Sequence, residues 1–234
     1  MTHRVAMALV WFFGLGAVGM FLPFFGLYLH ENAGLEGTRV GMVLALAHFV
    51  GMAVQPLWGQ VADRSGARSR ILVVVCVGAV LGYAALYVAR SFPALLAATA
   101  LLAAFQTAFV PGAVSVTLAL ARNAGPHAFG LSRVWGTVGF LFFVVAFPSA
   151  LDAMQRARGL VPEPGGPSEP GLELMFALAG AAVLIGGLAA LAIPLPARWQ
   201  CARRAGTGRG SSPTDPICAS SPSPSRATSV SRDR

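Results

Sequence analysis

The 234-residue chain is 56% hydrophobic and only 11% charged, with a mean hydropathy of +0.68. Soluble domains carry about 25% charged residues, so this composition excludes a water-soluble globular domain and describes an integral membrane protein. The net charge of +8 and pI near 10.9 do not indicate a nucleic-acid binder, because the arginines fall in loops and in the tail rather than on one face of a folded domain.

Six apolar runs follow one another. Residues 5–29 carry no charge and are long enough to cross a bilayer with tilt; they are too long for the apolar core of a signal peptide. Pro23 lies late in this run, and Gly14, Gly16 and Gly19 would let a neighbouring helix come close. Residues 30–37 read as a short polar loop with Glu31 and Glu36. The second span, 39–61, holds His48 and Gln55-Pro56. The third, 71–89, contains Gly78 and Gly82, a pair of small residues at helix-packing spacing. The fourth, 91–121, carries Gln106 and Thr107 near its middle and Pro111-Gly112 beyond them. A loop over 123–132 precedes the fifth span, 133–151. Residues 152–173 are polar and rich in Pro and Gly, an irregular loop, and the sixth span, 174–193, is stopped by Pro194 and Pro196. Residues 1–197 are thus expected to form one transmembrane domain. Residues 198–234 are rich in Ser, Pro and Arg, cannot bury a core, and are expected to be a disordered tail, with the composition of truncated or frameshifted sequence.

All 17 basic residues are arginine. With both termini inside, the inner segments hold Arg4, Arg64, Arg68, Arg70, Arg122 and Arg133, and the tail from Arg198 adds more; the outer segments hold Arg39, Arg90, Arg156 and Arg158. The excess of positive charge on one side orients the chain with cytoplasmic termini. Cys76 lies in an apolar run and Cys201 and Cys218 in the tail, which gives neither a disulfide framework nor metal-ligand spacing.

The densest charge in the first 120 residues is Gly59-Gln60-Val61-Ala62-Asp63-Arg64-Ser65-Gly66-Ala67-Arg68-Ser69-Arg70, a tight basic hairpin between the second and third spans. It resembles the loop signature of the major facilitator superfamily, Gly-x-x-x-Asp-Arg-x-Gly-Arg-Arg, matching at Gly59, Asp63, Arg64, Gly66 and Arg68 and departing at Ala67. A second patch, Phe129-Gly130-Leu131-Ser132-Arg133-Val134-Trp135-Gly136-Thr137-Val138-Gly139-Phe140, resembles the run that opens the fifth helix in one facilitator branch, that of phenylpropionate and nucleoside–proton symporters and distant lactose-permease relatives. Leu22-Pro23-Phe24-Phe25-Gly26-Leu27-Tyr28-Leu29 looks like the end of that branch's first helix. The resemblance implies an all-α integral membrane fold of six transmembrane helices, one half of a twelve-helix transporter with its substrate between the halves at mid-membrane. It also implies that the hairpin lies in the cytoplasm of an inner-membrane protein, in agreement with the arginine bias.

Each candidate residue has a second reading. By the resemblance, Asp63 pairs with the hairpin arginines and faces the other half, stabilising one conformation; otherwise its loop merely orients the chain. Arg133 is either a gate or anion contact or a snorkelling arginine that sets helix depth. Trp135 reads as an interfacial anchor. His48 is the titratable side chain deep in an apolar span, a functional candidate that could equally donate to a neighbouring helix backbone. Gln55 and Gln106 either bond substrate or bond each other. No Asp or Glu lies deep within a span, so proton coupling would need His48 or an acid from the other half.

The expected function is secondary active transport of a small organic solute by alternating access, coupled to protons. Asp63, Arg64 and Arg68, with Gly59, Gly66, Arg133, Trp135 and Gly136, would serve the conformational cycle, while His48, Gln55 and Gln106 would line the cavity. A homodimer or a separate second half would complete the pathway. The competing readings are a non-transporting half-transporter and an intramembrane enzyme. The second lacks support, since there is no Gly-x-Ser-x-Gly, His-Glu-x-x-His, Cys-x-x-Cys or paired membrane aspartate. No cofactor or metal is implied.

Overall fold

The computed structural model describes residues 2–65, 68–121, 127–160 and 169–193. These fold into six long helices, with no strand among the described residues: α1 (Thr2–Leu27), α2 (Gly37–Ser65), α3 (Arg68–Val88), α4 (Phe92–Ala121), α5 (His127–Arg158) and α6 (Leu174–Leu191). All six are long and apolar enough to cross a membrane.

Several helices outlast the apolar runs. α2 continues through Asp63 and Arg64 to Ser65, so most of the basic hairpin is helical rather than loop. α5 extends over positions expected to be loop at both ends. Its 32 residues span about 48 Å at 1.5 Å per residue, well beyond a hydrocarbon core of about 30 Å, so its ends are free to be polar. α1 passes into a π-helical turn, Tyr28–Asn32, in which the Ala33 amide donates to Tyr28 O at 2.9 Å. That extra turn carries Asn32 to the segment before α6, where its Nδ2 donates to Glu169 O at 3.2 Å. Gln155 of α5 donates to Glu169 Oε2 at 3.0 Å and to Pro170 O at 3.1 Å, so α1, α5 and the entry to α6 are tied at this end.

The helices pack in the order α5, α1, α6, α3, α4, α2, with α4 also touching α1 and α5. In lipid the hydrophobic effect does little to drive one helix onto another, so association depends on close packing and interhelical hydrogen bonds. Small residues provide the close approaches. A Cβ on Gly139 of α5 would collide with the backbone carbonyl of Phe12 on α1, and one on Gly82 of α3 would stand 2.6 Å from Leu102 Cα on α4. The core is largely aromatic: Phe21 and Phe25 stack, Tyr83 meets Phe21 edge-on, and Tyr28 meets Phe176 edge-on at 4.8 Å.

The two helices at the ends of this order each keep a free face. α2 packs chiefly on α4 and α5 chiefly on α1. Only 11% of the apolar stretch of α2 and 22% of that of α5 are buried, against 39–50% for the other four helices.

Candidate functional site

One face of α2 gathers most of the residues singled out in the sequence. Its packed face carries Val43 and Gly51, both buried, and is locked to α4 by Trp58, whose Nε1 donates to Ala104 O at 2.7 Å. The opposite face exposes His48, Met52, Gln55, Gly59 and Asp63. These positions are spaced by three or four residues and so form one stripe along the helix. Two of the cavity candidates, His48 and Gln55, thus share one surface with Gly59 and Asp63 of the conformational motif, and it is exposed because α4 covers the opposite side of α2.

Within the stripe, His48 does not reach a neighbouring helix. Its Nδ1 lies 2.8 Å from Leu44 O, one turn back on its own helix, and the remainder of the ring is exposed. Gln55 and Gln106 do not bond each other, and neither has a side-chain hydrogen bond among the described residues. Gln55 is exposed on α2, whereas Gln106 is half-buried on α4. At the end of the stripe, Arg68 Nη2 stands 3.5 Å from Asp63 Oδ1 and bridges the end of α2 to the start of α3. With the Asp63 side chain 75% exposed, this pair adds at most about 1 kcal/mol to stability. Arg64 is exposed on the last turn of α2. Gly66 lies outside the described residues, as do Arg122 and the expected tail, 198–234.

The helix-5 run is a packing device joined to a cation. Gly136 faces Trp11 and Leu15 of α1, with room for a Cβ only 3.2 Å from the indole, and Gly139 meets Phe12 one turn on. Arg133 sits with its guanidinium 5.1 Å from the centre of the Trp11 ring, a cation–π contact between the start of α5 and α1. Trp11 is fully buried and its Nε1 donates to Thr117 Oγ1 of α4 at 2.9 Å; the Thr117 hydroxyl in turn donates to Ala113 O at 2.7 Å. Trp11 therefore links α1, α4 and α5. The sequence reading missed it, because the partners are 106 positions apart and an indole within an apolar run looks like any other core residue. Trp135 is half exposed and lines a cavity of about 490 Å³ between the start of α1, the end of α4 and the start of α5.

Among the described residues, six helices long and apolar enough to span a membrane form the bundle, and two of them, α2 and α5, are largely exposed. This architecture is one six-helix half of a major facilitator fold. The chain belongs to the MFS_1 like family, whose sequence model matches residues 4–200. It is similar to "Maltose permease" of Geobacillus stearothermophilus, 34% identical over 145 residues, covering 62% of this chain and 36% of that protein. It is also similar to "Uncharacterized transporter YwbF" of Bacillus subtilis (strain 168), 29% identical over 140 residues, covering 59% of this chain and 34% of that protein. The chain spans about a third of the length of these curated relatives. Among the described residues no group of His, Cys, Asp and Glu is placed to hold a metal ion.

Proposed function

We propose that this chain forms one wall of a secondary transporter that moves a small organic solute by alternating access, coupled to protons. The observation that carries this reading is the stripe on α2. An amide side chain without a hydrogen bond costs roughly 2–7 kcal/mol when buried in an apolar medium, so Gln55 does not belong against lipid tails; His48 bonds only its own helix through Nδ1, and an ionisable ring within a span is equally ill suited to lipid. They suit a water-filled pathway or the facing half, as polar groups in spanning segments generally do. The free faces of α2 and α5 are the surfaces on which a second half, or a second copy, completes the pathway.

Within this reading, Asp63 and Arg68 hold the ends of α2 and α3 together in one conformation and release them in the other, with Arg64, Gly59 and Gly66 forming the rest of the hinge. Arg133, Trp135 and Gly136 set how α5 moves against α1. His48 carries the proton, since no carboxylate lies deep in a span. The arginine distribution supports cytoplasmic termini, and the family resemblance supports an inner-membrane location. Amide and imidazole side chains suit a polar, uncharged solute. The similarity to a maltose permease makes a sugar the first solute to test, with the aromatic acids and nucleosides of the symporter branch after it.

The test is uptake into proteoliposomes of labelled maltose, phenylpropionate and uridine, with and without an inward proton gradient. The chain is supplied alone and together with a six-helix partner half. Gradient-stimulated uptake of one solute, abolished by His48→Ala, is the expected result. Protein-free background for every solute in both arrangements would refute the proposal.

A further inference from the structure

The cavity at the mouth of α1, α4 and α5 is lined by no residue of the α2 stripe, and transport as proposed above assigns it no ligand, although Trp135 in its wall takes part in the movement of α5. Its volume is about 490 Å³, enough for a compact organic group. His3 and Arg4 from the first turn of α1 and Ser132 from α5 supply its polar lining, while Met7, Leu120, Leu131 and Trp135 supply its apolar walls. Thr117, at its base, is fully used by Trp11 and Ala113.

Its charge is one-sided. No acid lines it, and Arg4 takes part in no ion pair among the described residues. Arg133, next in sequence to Ser132, stacks on Trp11 rather than meeting a carboxylate. Two helices begin here, so their free backbone amides and positive dipole ends add to the same sign, against the single C-terminus of α4. A cavity with cations at its rim and aliphatic and indole walls below is matched by an amphiphile of opposite charge. The guanidinium fork favours phosphate, which it can bind with two parallel hydrogen bonds.

We propose that this cavity binds a phosphate-ester anion bearing an apolar body, with the phosphate on Arg4 and His3 and the body against Leu120, Leu131 and Trp135. The ester comes either from the headgroup of an anionic phospholipid, since the site opens at one end of a membrane-spanning bundle, or from a soluble phosphate ester.

Native mass spectrometry of the full chain, released from nanodiscs of phosphatidylcholine with or without phosphatidylglycerol, tests it. One retained phosphatidylglycerol is expected, and Arg4→Gln should lower its retention about tenfold, the loss of one good charge-assisted contact. Arg4→Lys should fall between the two, because it keeps the charge and loses the fork. Arg39→Gln, at the opposite end and stacked on Phe92, should bind as wild type and serves as the control for folding and general charge. Leu131→Trp, which fills the cavity without altering charge, should reduce retention as well. Competition by millimolar hexyl phosphate, a soluble ester with an apolar chain, would support the same site with a soluble source. Equal retention of phosphatidylglycerol and phosphatidylcholine, or retention unchanged in both Arg4→Gln and Leu131→Trp, would overturn the proposal.

Discussion

Replacing Gly139 by alanine tests whether close packing of α1 on α5 holds this bundle together. Two effects oppose each other. Alanine is a better helix former than glycine by about 1 kcal/mol, which alone would stabilise the protein. Against that, the new methyl would overlap the Phe12 carbonyl, and backbone cannot swing aside as a flexible side chain can. Overpacking of this kind costs typically about 1–3 kcal/mol, and a rigid obstacle places it at the upper end, so the net expectation is a loss of about 2 kcal/mol. Gly130 provides the comparison: it lies on the same helix, is exposed, and a Cβ there meets nothing within 4 Å. Gly130→Ala should therefore gain up to about 1 kcal/mol. The gap of about 3 kcal/mol corresponds to roughly 6–12 °C in midpoint for a chain of this size. Thermal unfolding of both variants in one detergent, followed by tryptophan fluorescence, reads it directly. Equal midpoints for the two variants would refute the argument from close approach.

Other outcomes follow from the same contacts. Trp11→Phe removes the interhelical bond to Thr117 and should cost about 0.6 kcal/mol, the average for such bonds in a membrane protein, and at most about 1.7; a midpoint equal to wild type in the same unfolding assay would show that the link does not matter. Asp63→Asn should change stability by no more than about 1 kcal/mol, since its partner is met at an exposed site, yet should sharply reduce uptake in proteoliposomes. Full uptake in that variant would remove Asp63 from the conformational cycle. Gly82→Leu should disrupt the α3–α4 crossing, where the added side chain meets Leu102 backbone, and should lower the yield of folded protein in detergent by size-exclusion profile.

The six spans were legible because hydropathy reports the thickness of the bilayer, and each helix has an apolar stretch of that length. The same property hid their ends. The segment Asp63–Ser65 and the last turns of α5 are helical but polar, since they extend beyond the apolar stretch, and charge at such a place reads as loop. Neighbour relations were less accessible still. α4 and α6 are apolar around most of their circumference, and a helix with no polar face does not announce which side is packed. Glycine spacing helped only in part: Gly78 and Gly82 were recognisable as a packing pair, but Phe105 and Leu102 as their partners were not. His48 was found because an ionisable side chain stands out in an apolar run, while its exposure depended on α4 covering the opposite side of α2. The cavity beside Trp135 was invisible in the sequence, for it is assembled from the first turn of α1 and positions more than a hundred residues further on.

The most direct test of the account is water access along α2. With Cys201 and Cys218 changed to serine and Cys76 left buried, single cysteines are introduced as His48→Cys, Gln55→Cys and Leu188→Cys, the last on the exposed apolar face of α6. Labelling by a membrane-impermeant maleimide in proteoliposomes should modify positions 48 and 55, be slowed at both by the transported solute, and leave 188 untouched. Labelling at 48 and 55 as slow as at 188 would place the stripe against lipid and contradict a solute pathway along this helix.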